Sequence, residues 1–196
     1  MKKILAILAL AATTSAFAGA GVNFEFERER GTESPNTMSN SVKVAPYYKF
    51  DNGVKADIQF GGSRDDGAVS GNNNALENTI EARVQKLYTV APGLQLGARV
   101  GLGQMLNGTN AAGKTVDFGY YTVEPKAEYA ITPQLSALAS YRFRNGFNSD
   151  DNYLTRTAKV GAGYAVTKND LVEVKYFQKR GDSSTNGIEL GYSRGF

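Results

Sequence analysis

The 196-residue sequence has no cysteine, no histidine and no tryptophan, and only five prolines. Without cysteine there are no disulfides, thiol nucleophiles or thiolate metal ligands. Without histidine, imidazole-built zinc sites and every Ser-His-Asp or Cys-His arrangement are excluded as well. No metal or cofactor site is expected. Outside the extreme N-terminus no apolar run reaches 18 residues, so a helical membrane protein is ruled out. Charge of one sign is lacking too. The formal net charge is only +3, which gives no reason to expect a nucleic acid partner. What is abundant is glycine (22), tyrosine (11) and phenylalanine (10), a composition of strands and turns.

The first 18 residues read as a secretory signal. Lys2 and Lys3 are followed by the apolar run Ile4 to Ala12 and by Ala16-Phe17-Ala18, which fits an Ala-x-Ala cleavage site. Ala18-Gly19-Ala20 is a second option. Cleavage after residue 18 leaves 19–196 as a single domain with 20 bases against 19 acids. An exported chain with no cysteine points to a bacterial envelope.

Alternation with a period of two runs through nearly all of residues 19–196. Val42, Val44, Pro46, Tyr48 and Phe50 share one face, and Ser41, Lys43, Ala45, Tyr47 and Lys49 the other. Ten such segments are predicted, near 20–30, 40–50, 54–63, 77–90, 94–106, 118–130, 134–145, 153–166, 170–180 and 187–196. Short connections such as Asp51-Asn52-Gly53 and Ala91-Pro92-Gly93 alternate with long ones such as 61–76 and 106–117. Outer-membrane barrels have this short–long rhythm, and an even strand number puts both termini in the periplasm.

The chain end agrees. Ile188, Leu190, Tyr192 and Phe196 share a face, and the strand closes on Phe196, resembling the sorting signal read by the barrel-assembly machinery. Arg194 stands where that signal usually has an apolar residue; an interfacial arginine can snorkel. Tyr48, Phe50, Tyr88, Tyr129, Tyr141, Phe143, Tyr164 and Tyr192 are expected near strand ends as interfacial girdles. Arg28, Arg30 and Arg156 sit near the long-loop ends of the outward face, suited to lipopolysaccharide phosphates or to a solvated rim.

The inward face is charged. Its acids are Glu25, Glu27, Glu29, Asp57, Glu81, Glu124, Glu128, Glu173 and Glu189. Its bases are Lys43, Lys49, Lys55, Arg83, Arg99, Lys126, Arg142, Arg144, Lys159, Lys175 and Lys179. Isolated buried charge is very costly, so these groups either pair and plug the lumen or line a wet pore. Arg83, Arg99, Arg142 and Arg144 are expected as the main positive lining, with Glu25, Glu27, Glu124 and Glu128 on the opposing wall. Glu124 and Glu128 as an acid–base pair would need free carboxyls, and Lys126 lies between them. The run Asn148-Ser149-Asp150-Asp151-Asn152 offers oxygens but not the spacing of a calcium loop, and reads as a solvated loop.

Several stretches resemble one family. Phe24-Glu25-Phe26-Glu27-Arg28-Glu29-Arg30, Tyr48-Lys49-Phe50-Asp51-Asn52-Gly53, Tyr121 to Tyr129 and Tyr141-Arg142-Phe143-Arg144 are similar to small monomeric oligogalacturonate-specific porins of the outer membrane. That resemblance implies a passive channel. It also implies twelve strands and arginine-rich tracks for acidic sugars, where this chain supplies ten strands and a mixed inward face. Barrel enzymes of this membrane, as those families are understood, work with a histidine, so no enzyme is expected. The sequence thus reads as an all-β, ten-stranded antiparallel transmembrane β-barrel passing ions or small hydrophilic solutes, with outer-membrane lipid and lipopolysaccharide as its surroundings. The alternative is a plugged structural barrel with loop-mediated adhesion. A soluble β-sandwich comes third.

Overall fold

A computed structural model describes residues 19–32, 38–65, 76–109, 115–148, 154–181 and 184–196. The expected signal segment, 1–18, lies outside them. Ten strands follow in order: β1 (Ala20–Gly31), β2 (Met38–Lys49), β3 (Val54–Asp65), β4 (Leu76–Ala91), β5 (Leu94–Thr109), β6 (Thr115–Ala130), β7 (Leu135–Gly146), β8 (Leu154–Ala165), β9 (Asp170–Gly181) and β10 (Thr185–Gly195). Each pairs antiparallel with its neighbours in sequence, and β1 pairs with β10. The sheet is therefore a closed barrel without a free edge.

Four tight turns gather at one end, where Gly19 and Phe196 lie as well. Gly53 (φ 79°) and Gly93 (φ 77°) take the left-handed conformation that the turns after β2 and β4 require. The other two turns each use a threonine: Thr132 Oγ1 accepts from the Gln134 and Leu135 amides, and Thr167 Oγ1 from those of Asn169 and Asp170. Beside the Gly19 carbonyl, which accepts from Lys49 N, the Phe196 amide donates to Ala20 O at 2.9 Å.

Strand existence and facing match the alternation. The strands next to long loops run further than it indicates: β3 reaches Asp65, β5 Thr109, and β6 starts at Thr115. Apolar alternation stops at the edge of the belt, whereas the backbone ladder needs no apolar side chains to continue. Pro46 and Pro125 lie inside strands. Pairing skips Pro46 on the β3 side and Pro125 on the β7 side, since a proline has no N–H to give.

Polarity is inverted relative to a soluble protein. Val42, Ile58, Val84, Val100, Val174 and Leu190 are exposed on the outer wall, while Asp57, Glu81, Arg83, Glu124, Arg142, Lys159 and Glu189 are buried inside. A soluble sandwich would reverse this. Every even strand carries one tyrosine on its outer face near the short-turn end: Tyr48, Tyr88, Tyr129, Tyr164 and Tyr192. With Phe50 they form one girdle. Tyr141 and Phe143 do not join it. Tyr141 pairs with Ala158 in mid-wall, and Phe143 lies higher, packing on Tyr121 at 6.0 Å between ring centroids.

The belt gives a depth-dependent expectation. Val174→Arg, in mid-wall, should cost about 2–4 kcal/mol in a bilayer, and Val166→Arg, at the turn rim, about 0–1. Urea titration followed by gel mobility tests this; equal costs at the two depths would contradict the belt.

Candidate functional site: a charged lumen

Alternation aims odd-numbered residues of β1 and β5 and even-numbered residues of β6 and β7 into the lumen. Every strand contributes an inward charge. The pairing of those charges depends on closure. At the β1–β10 seam Glu27 stands directly opposite Glu189. Two carboxylates there would repel. Lys159 reaches across from β8 to both, 3.1 Å from Glu27 Oε1 and in direct contact with Glu189. Glu27 is also paired with Lys43, and Ser41 Oγ donates to it at 3.1 Å. Lys175 Nζ lies 3.0 Å from Glu189 and 2.8 Å from Glu173. The result is one chain of alternating charge, Lys43–Glu27–Lys159–Glu189–Lys175–Glu173, drawn from five strands.

A second cluster occupies the facing wall. Glu124 on β6 accepts from Ser140 Oγ at 2.8 Å and sits 3.2 Å from Arg142 Nε and 3.6 Å from Arg99 Nη1. Above it, Glu81 on β4 accepts from Thr122 Oγ1 (2.5 Å) and Tyr120 Oη (3.3 Å). Arg144 from β7 reaches over two strands to Glu81 at 3.3 Å, its guanidinium 4.5 Å from the Tyr120 ring. Arg83 and Asp57 form a fully enclosed pair at 2.5 Å; Asp57 Oδ2 and Arg83 Nη1 and Nη2 have no hydrogen-bond partner. Gln59 ties Glu25 to β3 at 3.1 Å. Toward the long loops Met105, Phe118, Tyr120 and Phe177 fill the interior.

Space remains on the short-turn side. A cavity of about 120 Å³ is lined there by Lys55, Gln85, Arg99 and Lys126 among others. Gln85 Oε1 accepts from Lys126 (3.0 Å) and Arg99 Nε (3.2 Å). Lys55 lies 3.8 Å from the centre of the Tyr47 ring and 3.4 Å from Asn23 Oδ1. Two cations thus share one amide, and Glu124, Glu128 and Glu173 line the same cavity, so both signs face it.

The inward set read from alternation is inward here, with two corrections. Lys49 is exposed at the turn rim instead of lining the lumen, because β2 ends there. Glu124 and Glu128 do not oppose the arginines: β6 lies between β5 and β7, so Glu124 is sandwiched by Arg99 and Arg142 in one wall. Glu128 lies 4.0 Å from Lys126. The Glu25, Glu27 and Glu189 oxygens lie within 4.8 Å of one another, but the Lys159 ammonium already neutralises two of them. Most of the loop 148–152 lies outside the described residues.

An inverted, closed, ten-stranded barrel is a membrane architecture, and the family pattern named "Outer membrane protein beta-barrel domain" matches residues 4–165. The chain belongs to this family. It is a protein of the bacterial outer membrane. No curated protein sequence matches it significantly. Solved structures of similar fold include the KdgM porin in complex with disordered oligogalacturonate (TM-score 0.51, 13% identity, 90% of this chain and 99% of that one). The NanC porin is another (0.53, 11%, 89% and 100%). So is the β domain of the Bordetella autotransporter BrkA (0.58, 11%, 91% and 99%). At these identities the likeness is one of fold. The family member described here shares it with both porins and autotransporter barrels.

Lys159 should be the most sensitive lumen position. Lys159→Met leaves Glu27 and Glu189 opposed and is expected to cost about 3–5 kcal/mol. Lys179→Met, whose pair with Glu29 is partly solvated, should cost about 0–1 kcal/mol. Urea midpoints from gel mobility would show this; equal losses would contradict the role assigned to Lys159.

Proposed function

We propose that this outer-membrane barrel is a narrow channel for small ions and hydrophilic solutes, held nearly closed at rest by ion pairs across its lumen. The observation that carries the reading is the inward charge on all ten strands. A barrel built only as a scaffold gains nothing from it, since well-packed apolar groups fill a core at less desolvation cost. Charged groups along the whole interior give a permeating ion successive partners, and paired groups can exchange a partner for the ion. The porin neighbours support the same reading. The long loops then face outside and both termini the periplasm, where a final strand ending in Phe196 would have met the assembly machinery. The mixed pairing argues against wide passage of oligosaccharides.

A second reading is favoured by one feature. Glu81 and Glu189 are 1% and 2% exposed, the burial expected of a plug. The barrel would then be structural, with its function in the loops.

Conductance of the protein in planar bilayers under a salt gradient decides between them. Discrete steps are expected. Neutralising Arg142 and Arg144 with glutamine should shift the reversal potential toward cations, because each change removes a positive charge and leaves Glu124 or Glu81 behind. Unchanged selectivity in both variants would refute the assigned lining. Absence of steps from protein shown to be folded and inserted would favour the plug.

A further inference from the structure

The outer wall is lopsided in charge. Above the apolar belt at the long-loop end, outward strand positions carry Arg28, Arg30, Arg64, Arg156 and Arg180 against one acid, Asp117, among the described residues. No lysine occurs among the described residues at these positions. Two of these arginines are neighbours. Arg156 on β8 is directly opposite Arg180 on β9, both are exposed, and Phe143 on β7 continues the row. Like charges directly opposite each other on one sheet face are destabilising. No carboxylate among the described residues pairs with either.

Beneath the pair the wall turns apolar and shallow. Ala158 is the next outward residue below Arg156, between Tyr141 and Gln178. Then come Val160 beside Tyr176 and Ala162 beside Val174. A double cation above an apolar strip with short side chains matches a molecule with phosphate above and acyl chains below. Arginine, with a planar fork of donors, suits bidentate contact with phosphate better than lysine. At a membrane interface such a contact is screened less than in water.

We propose that the Arg156–Arg180 pair is a clamp for the phosphate of a multiply acylated glycolipid of the outer leaflet, lipid A, whose chains lie along Ala158, Val160 and Ala162. The proposal rests on the orientation with the long loops outside. It does not depend on whether the lumen conducts. Bound phosphate would cancel the repulsion between the two guanidinium groups, so the lipid would stabilise the β8–β9 ladder at its exposed end.

The test is native mass spectrometry of the protein, extracted from outer membranes into neutral detergent, with added lipid A, dephosphorylated lipid A or phosphatidylglycerol. Lipid A should be retained on the wild type. Dephosphorylated lipid A should bind about tenfold more weakly, as loss of charge-assisted hydrogen bonds implies. Phosphatidylglycerol keeps one phosphate charge but has two acyl chains only, and should also bind more weakly than lipid A. The Arg156→Gln/Arg180→Gln variant, checked for folding by its heat-dependent gel shift, should lose lipid A by a similar factor. Equal retention of phosphatidylglycerol would reveal a general anionic-lipid surface and overturn the proposal. Unchanged binding by the variant would also overturn it. If the variant does not fold, the wild-type comparison of phosphorylated with dephosphorylated lipid A decides alone.

Discussion

The Lys159 ammonium holds the closing seam of the barrel. Closure brings β1 and β10 together in a register that opposes Glu27 to Glu189, and neither strand carries a base at that level. The compensating cation comes from β8, two strands from the seam. Lys43 and Lys175 then complete the neutralisation from the two flanking strands. Sheet closure and lumen electrostatics are therefore one problem here. The ladder can close because the interior charges pair, and they pair because closure fixes which strands face one another.

The same logic divides the lumen into zones. At mid-height and above, each acid has at least one donor and several have three, so fields largely cancel and little room is left. Toward the turns room opens. Lys55, Arg99 and Lys126 meet around Gln85, and Glu25, Glu124, Glu128, Glu173 and Glu189 share the lining, so both signs face the cavity.

Much of this was legible in the sequence. Period-two alternation sets strand number and facing because one wall meets lipid and the other polar groups. Ile188, Leu190 and Tyr192 could belong to no other face. The strand ends above the belt were less legible, since polar residues there carry no facing signal; β5 gains residues up to Thr109 for that reason. Partners were not legible at all. Lys159 and Glu27 are 132 positions apart, and their meeting follows from register and tilt around a closed sheet. Arg180 carries no signal of its own in the sequence. Alternation alone places it outward, beside the inward Lys179; its significance appears only when the β8–β9 register sets it against Arg156.

Inner and outer walls solve the charge problem in opposite ways. Inside, acids and bases are nearly matched, and the protein supplies its own counterions. Outside, the described arginines at the long-loop end outnumber the one described acid, Asp117. A membrane protein can leave such an imbalance where the surrounding lipid carries the other sign. Lipid headgroups fill that role at a bilayer surface and nowhere deeper, which fits arginines placed at the rims with Val174, Leu190 and Val100 in the wall between. At the short-turn rim Arg194 has a counterion within the protein, Asp170 at 3.7 Å. The Arg156–Arg180 pair has no such counterion among the described residues, and an anionic leaflet would supply one.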